Sequence, residues 1–174
     1  ITENKITRDH TEIMLQSFEA KIDVRKNNNK KLIKIIGKKE LVSKNIDVPN
    51  DLSSSAFFIV SALINSNSKI VLKNINNNAT RNGLLLALEK MGAKIKLFNK
   101  RISNNENICD IEVLSTNLNG CELGPEIADL MIDEYPILAV AASFASTPSI
   151  FRGLKELRVK ESDRLKLIVL NLQK

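Results

Sequence analysis

The densest group of chemistry-bearing residues is Arg158-Val159-Lys160-Glu161-Ser162-Asp163-Arg164. Hydrophobic periodicity places it between a short strand and a helix over 161–172. Its charges therefore fall at a helix start, where backbone N–H groups lack partners and the helix dipole is positive. Glu161 and Asp163 suit that end. Lys160 and Arg164 do not, and cations there point to an anionic ligand. With a helix beginning near Lys160, Glu161 and Arg164 share a face. A solvated helix start with a Glu161–Arg164 pair is the plainer reading of the same charges.

The second candidate is Asp133-Glu134-Tyr135-Pro136, ahead of a nearly all-apolar helix. Asp133 as an N-cap with Pro136 in the first turn explains it structurally. Functionally, Asp133 is a carboxylate at the mouth of the core, able to accept a proton or orient a hydroxyl. The third is Thr7-Arg8-Asp9-His10-Thr11-Glu12, also at a helix start, where Arg8 can hold a phosphate and Thr7 or Asp9 can cap. His10 is assigned no role. The serines of Asn50-Asp51-Leu52-Ser53-Ser54-Ser55 have no base beside them, so helix capping explains them better than nucleophilic catalysis.

The elements that must position these groups follow from periodicity and breakers. Helices are expected at 8–20, 54–64, 81–91, 135–145 and 161–172. Strands are expected at 21–24, 32–36, 69–72, 94–98, 108–114 and 149–152, with a turn at 26–31. Val48-Pro49-Asn50-Asp51 marks a domain boundary, so 1–47 ends one domain and 48–174 forms two units of a second, the last truncated. The segment from Leu15 to Lys21 superposes on Leu88 to Lys94, 73 residues on, and Leu84 on Leu165, 81 residues on. The repeated unit is helix, strand, helix, strand, strand, an α/β (α+β) arrangement with helices packed on sheets. The first unit lacks its start and the last stops after its helix, so the pattern predicts a piece of a longer chain.

A hydrophobic content of 43% over 174 residues supports a packed core. No apolar run approaches the roughly 18–20 residues that span a bilayer, and a cytoplasmic protein is expected. Cys109, Cys121 and the single His10 do not make a zinc set. The net charge of +6 fits either a lysine-rich surface or an anionic partner. Aromatics at 4%, with no zinc-finger or RNP-like pattern, argue against nucleic acid, and no GxGxxG or P-loop occurs.

Taken together, five segments resemble the 5-enolpyruvylshikimate-3-phosphate synthases. They are Arg8-Asp9-His10-Thr11-Glu12, Val48-Pro49-x-Asp51-x-Ser53-Ser54, Leu88-x-Lys90-Met91-Gly92-Ala93, Asp133-Glu134-Tyr135-Pro136-Ile137-Leu138-Ala139 and Arg158 to Arg164. They occur in that family's order across nearly the whole chain. The resemblance implies an enolpyruvyl transferase fold of two similar domains, with this chain spanning the hinge and substrates held in the cleft. The implied reaction moves the enolpyruvyl group of phosphoenolpyruvate onto the 5-hydroxyl of shikimate 3-phosphate, releasing phosphate. It is a step of the shikimate pathway to aromatic amino acids. Carried over by position, Glu161 donates a proton to phosphoenolpyruvate. Asp133 is the base or grips the shikimate hydroxyls, and Lys160 lies beside the attacked hydroxyl. Arg164 binds phosphoenolpyruvate, and Arg8 contacts shikimate 3-phosphate. No metal or organic cofactor is implied, and the full-length enzyme is expected to be a monomer. The family's early lysine, its Ser-Ser/Ala-Gln phosphate site and its late Arg and Lys residues have no counterpart in these 174 residues, so this piece alone is expected to be inactive. Two alternatives are an enolpyruvyl transferase acting on UDP-N-acetylglucosamine, which shares the repeats, and a non-catalytic basic module that binds anions.

Overall fold

The computed structural model describes residues 1–28 and 30–174. The chain begins with β1 (Thr2–Glu3), α1 (His10–Ser17), β2 (Lys21–Asn27) and β3 (Lys30–Ile36). Next come α2 (Leu52–Ile64), β4 (Lys69–Asn76), α3 (Gly83–Lys90), β5 (Lys94–Ser103) and β6 (Glu106–Leu114). The last part contains β7 (Glu122–Leu123), α4 (Pro125–Ala128), α5 (Tyr135–Ser143), β8 (Ile150–Phe151), a 3-10 turn (Leu154–Arg158) and α6 (Arg164–Leu172).

The repeat is real in three dimensions. One sheet runs β1-β3-β2 and another β4-β6-β5, every neighbouring pair antiparallel. The order is the same in both, with the last strand of each unit in the middle. Both ends of α3 fall 73 residues after those of α1 (83 − 10 and 90 − 17), the offset read from the sequence. The start of α6 follows that of α3 by 81 residues (164 − 83).

Why each element forms is local. In the β4-β6-β5 sheet, Ile70, Val113 and Ile95 lie in one row, and Leu72, Ile111 and Leu97 in the next but one. Side chains two apart share a face, so these six cover one side of the sheet. The core lies against that side, built from Leu52, Ala56, Ile59 and Leu63 of α2, Leu84 and Leu88 of α3, and Leu138 of α5. Gly92 closes α3 at φ +84°, the left-handed conformation expected of a helix-terminating glycine.

Several boundaries differ from expectation. The 26–31 turn is much tighter, since strand pairing runs on to Asn27 and Lys30. Asn28 follows at φ +53°, and Asn29 lies outside the described residues. β5 and β6 extend to Ser103 and Glu106, because a register shift between Phe98 and Arg101 breaks the alternation without ending the pairing. β7 pairs in parallel with β8 and, at two residues, has no periodicity to detect.

α2 starts at an Asp51 N-cap, whose side chain accepts the Ser54 N–H at 2.8 Å. Burial would raise the Asp51 carboxyl, but the Ser54 bonds and the Arg81 charge hold it below its ordinary value. A depressed carboxyl stabilises the fold above its unfolded value near 3.8, and that contribution is lost as pH falls through the folded value. Asp51→Ala is expected to cost about 1 kcal/mol in thermal unfolding at neutral pH, with most of it recovered by Asp51→Ser. An unchanged melting midpoint in the alanine variant would remove Asp51 from the capping role.

Candidate active site

Asp133 is the centre of the charge cluster. It lies on the turn between α4 and α5, one residue ahead of Glu134, the N-cap of α5. Asp133 is therefore not the N-cap expected from the sequence. Glu134 holds that place and makes no side-chain cap bond. Freed from capping, the Asp133 carboxylate faces three cations. Arg8 Nη2 donates to Oδ2 at 2.9 Å, and Arg164 Nη1 donates to Oδ1 at 3.3 Å. Lys160 Nζ stands 3.9 Å from Oδ1.

These groups come from three places in the chain. Arg8 lies two residues before α1, Lys160 on the segment after the 3-10 turn, and Arg164 on the first residue of α6. The helix does not begin near Lys160 or Glu161. Asp163 is its N-cap, its side chain accepting the Lys166 N–H at 2.9 Å, so residues 160–163 are a loop. An Asx cap at 163 sets the start later than the charge pattern suggested, because the cap satisfies a backbone donor that Lys160 cannot.

Glu161 pairs with Arg164, as the plainer reading held, at 2.5 Å from Nη2 and 2.9 Å from Nε. Yet the same guanidinium also reaches Asp133, so the pair is part of the cluster rather than an isolated surface contact. Lys160 divides itself between Asp133 and Glu156, the latter at 3.0 Å.

Electrostatics follow from this arrangement. Burial alone would raise the Asp133 carboxyl. The Arg8 hydrogen bond and the charges of Lys160, Arg8 and Arg164 outweigh it and keep the group below its usual range. The Arg164 hydrogen bond, aided by Glu161's own N–H, holds the Glu161 carboxyl low as well. Both acids are ionised at neutral pH. Tyr135 is buried edge-on against Phe151, and burial pushes its hydroxyl up to about 12. It faces the core and has no proton to exchange near neutrality.

Arg81, beside the site, escaped the sequence reading. Arg81 pairs with Asp51 at 3.0 Å and donates to the Ser53 hydroxyl, which in turn donates to Glu134. The only hint was a lone Arg81 at a helix start. His10, which drew no role, hydrogen-bonds Glu106 through Nδ1 at 2.5 Å. Cys109 and Cys121 are free thiols, and no metal-binding group of three or more His, Cys, Asp or Glu occurs among the described residues. Nor is any described helix long and apolar enough to cross a membrane.

Comparison with known proteins gives a consistent result. The family profile for EPSP synthase (3-phosphoshikimate 1-carboxyvinyltransferase) matches residues 1–174. A 3-phosphoshikimate 1-carboxyvinyltransferase from Pseudomonas sp. (strain PG2982) is 45% identical over 99% of this chain. One from Brucella abortus (strain S19) is 44% identical over the same share. This chain spans 39% of the length of each. The solved EPSP synthase from Acinetobacter baumannii superposes with a TM-score of 0.89 at 41% identity, over 98% of this chain and 38% of that one.

Proposed function

Since this chain belongs to the EPSP synthase family, we propose that it is the part of such an enzyme that carries an acid–base pair and cations for two anionic substrates. The proposed reaction transfers the enolpyruvyl group of phosphoenolpyruvate to the 5-hydroxyl of shikimate 3-phosphate. The observation that carries this reading is the gathering of Arg8, Lys160 and Arg164 on the single carboxylate of Asp133.

In this reading, Glu161 gives a proton to the methylene carbon of phosphoenolpyruvate while the 5-hydroxyl oxygen bonds to the adjacent carbon. Asp133 holds the shikimate hydroxyls and takes the hydroxyl proton, with Lys160 beside it. The resulting tetrahedral intermediate then returns a methyl proton to the Glu161 carboxylate and expels phosphate, which takes up the proton held by Asp133, and the double bond is restored. Arg164 holds phosphoenolpyruvate, and Arg8 holds shikimate 3-phosphate. In the structure these cations are occupied by Asp133 and Glu161. Arriving phosphates and carboxylates exchange with those partners. Losing Arg164 raises the Glu161 carboxyl toward a usable acid. Losing Arg8 and Arg164 makes Asp133 a stronger base.

Residues 1–47 would end one domain and 48–174 would supply two repeat units of the second, the last truncated, with the site at their junction. Arg8 reaching Asp133, and Lys5 reaching Asp129 at 3.0 Å, support substrate contact from both sides. The test is expression of the full-length enzyme and an assay of phosphate release with both substrates. Release that requires both is expected. Release with UDP-N-acetylglucosamine in place of shikimate 3-phosphate would overturn the assignment.

A further inference from the structure

We propose that Arg81, acting through Ser53 and Glu134, is a positioning residue that fixes the turn bearing Asp133. This rests on the catalytic reading of Asp133 and names a group that never touches substrate in it.

Asp133 and Glu134 are consecutive but point to opposite sides. Asp133 faces Arg8, Lys160 and Arg164. Glu134 is turned inward and is only 4% exposed. A buried carboxyl needs partners, and its partners here come from two other helix starts. The Ser53 hydroxyl, in the first turn of α2, donates to Glu134 Oε1. Arg81, just ahead of α3, donates to the same Ser53 oxygen and reaches Asp51 Oδ1 at 3.0 Å. Burial pushes the Glu134 carboxyl up, while Ser53 and Arg81 pull against it. The guanidinium thus ties the α2 cap to the first residue of α5's approach.

A second, independent contact grips the same turn. The Gly83 N–H donates to the Leu130 carbonyl at 3.3 Å. A Cβ on Gly83 would lie 2.8 Å from Met131 Cβ and 2.9 Å from Leu130 Cβ, so only glycine allows this approach. The start of α3 therefore holds the 130–134 turn both by backbone contact and through the Arg81–Ser53–Glu134 chain. Acid–base groups must be held close to the productive geometry, and a displacement of about 1 Å can cost 10²-fold in rate.

The experiment is a double-mutant cycle in the full-length enzyme, reading kcat and KM for both substrates. Arg81→Ala is expected to lower kcat about 10- to 100-fold, with smaller changes in either KM. In the Asp133→Asn background the same substitution is expected to lower kcat no further, because Arg81 acts through the group already removed. Equal losses in the two backgrounds, or no loss in the first, would overturn the positioning role alone. A near-normal kcat in Asp133→Asn by itself overturns the catalytic reading and this role with it. Should Arg81→Ala fail to fold, Ser53→Ala enters the same cycle with the same expected outcomes, since it breaks the chain at its middle link and leaves the Arg81–Asp51 pair.

Discussion

Asp133→Asn in the full-length enzyme is expected to lower kcat by about 10²–10⁴-fold while leaving KM for both anionic substrates unchanged or lower. Asparagine keeps the size of the side chain and one of the two accepting oxygens, so the contact with either Arg8 or Arg164 is kept and the other faces an amide NH2 that cannot accept it. It loses the negative charge and nearly all basicity. The hydroxyl proton then has no carboxylate to receive it, and the transition state suffers. Substrate affinity moves the other way. Arg8, Lys160 and Arg164 now share no counter-ion, so each is more available to a phosphate or carboxylate. A mutation that lowers kcat without raising KM removes an interaction made in the transition state. Steady-state kinetics with each substrate varied in turn reads the split. A near-normal kcat with a raised KM would make Asp133 a binding group and nothing more.

Glu161→Gln is expected to reduce kcat by a similar factor, about 10²–10⁴-fold, and to remove a limb from the pH profile. Arg164 holds the Glu161 carboxyl below its ordinary value before substrate binds. In that state the acid is protonated only at low pH. In the proposed mechanism phosphoenolpyruvate, on binding, claims Arg164 and lets the Glu161 carboxyl rise. The profile of kcat/KM reports the free enzyme, and that of kcat the bound one. The descending limb should therefore fall at higher pH in kcat than in kcat/KM, and should vanish in the glutamine variant. Coincident limbs in the unaltered enzyme would sink the partner exchange, even with Glu161 retained as the acid.

Much of this architecture was legible because it is repetitive. The 73-residue shift seen between Leu15 and Leu88 reappears at both ends of α1 and α3, since a repeated apolar stripe can only be buried in a repeated way. The Asp51 cap was readable from the Asp-x-Ser-Ser pattern. Other features were hidden for definite reasons. Lys26 to Lys31 looks like a loop, yet strand pairing runs to Asn27 and resumes at Lys30, and Lys31 is buried because its ammonium pairs with Glu3 and Glu12, partners the local sequence does not show. The bulge near Asn99, at φ +49°, shortens the visible strand. At the site, residue types pointed to Asp133, Glu161, Lys160, Arg164 and Arg8, but only coordinates bring Arg8 to a carboxylate 125 positions away. Arg81 was invisible because its partner Ser53 reads as one more capping serine, and Glu134 as a surface acid.

Arg8 and Arg81 stand two residues ahead of α1 and α3, at matching places in the two copies of the repeat. One reaches out to Asp133 and the other in to Ser53. Internal duplication thus handed the protein a spare guanidinium at a fixed address. In the reading proposed above, one copy holds the scaffold together and its twin takes a ligand. Such division of labour between sister positions is open to a direct trial by exchanging the two arginine-bearing loops, which should transplant neither duty.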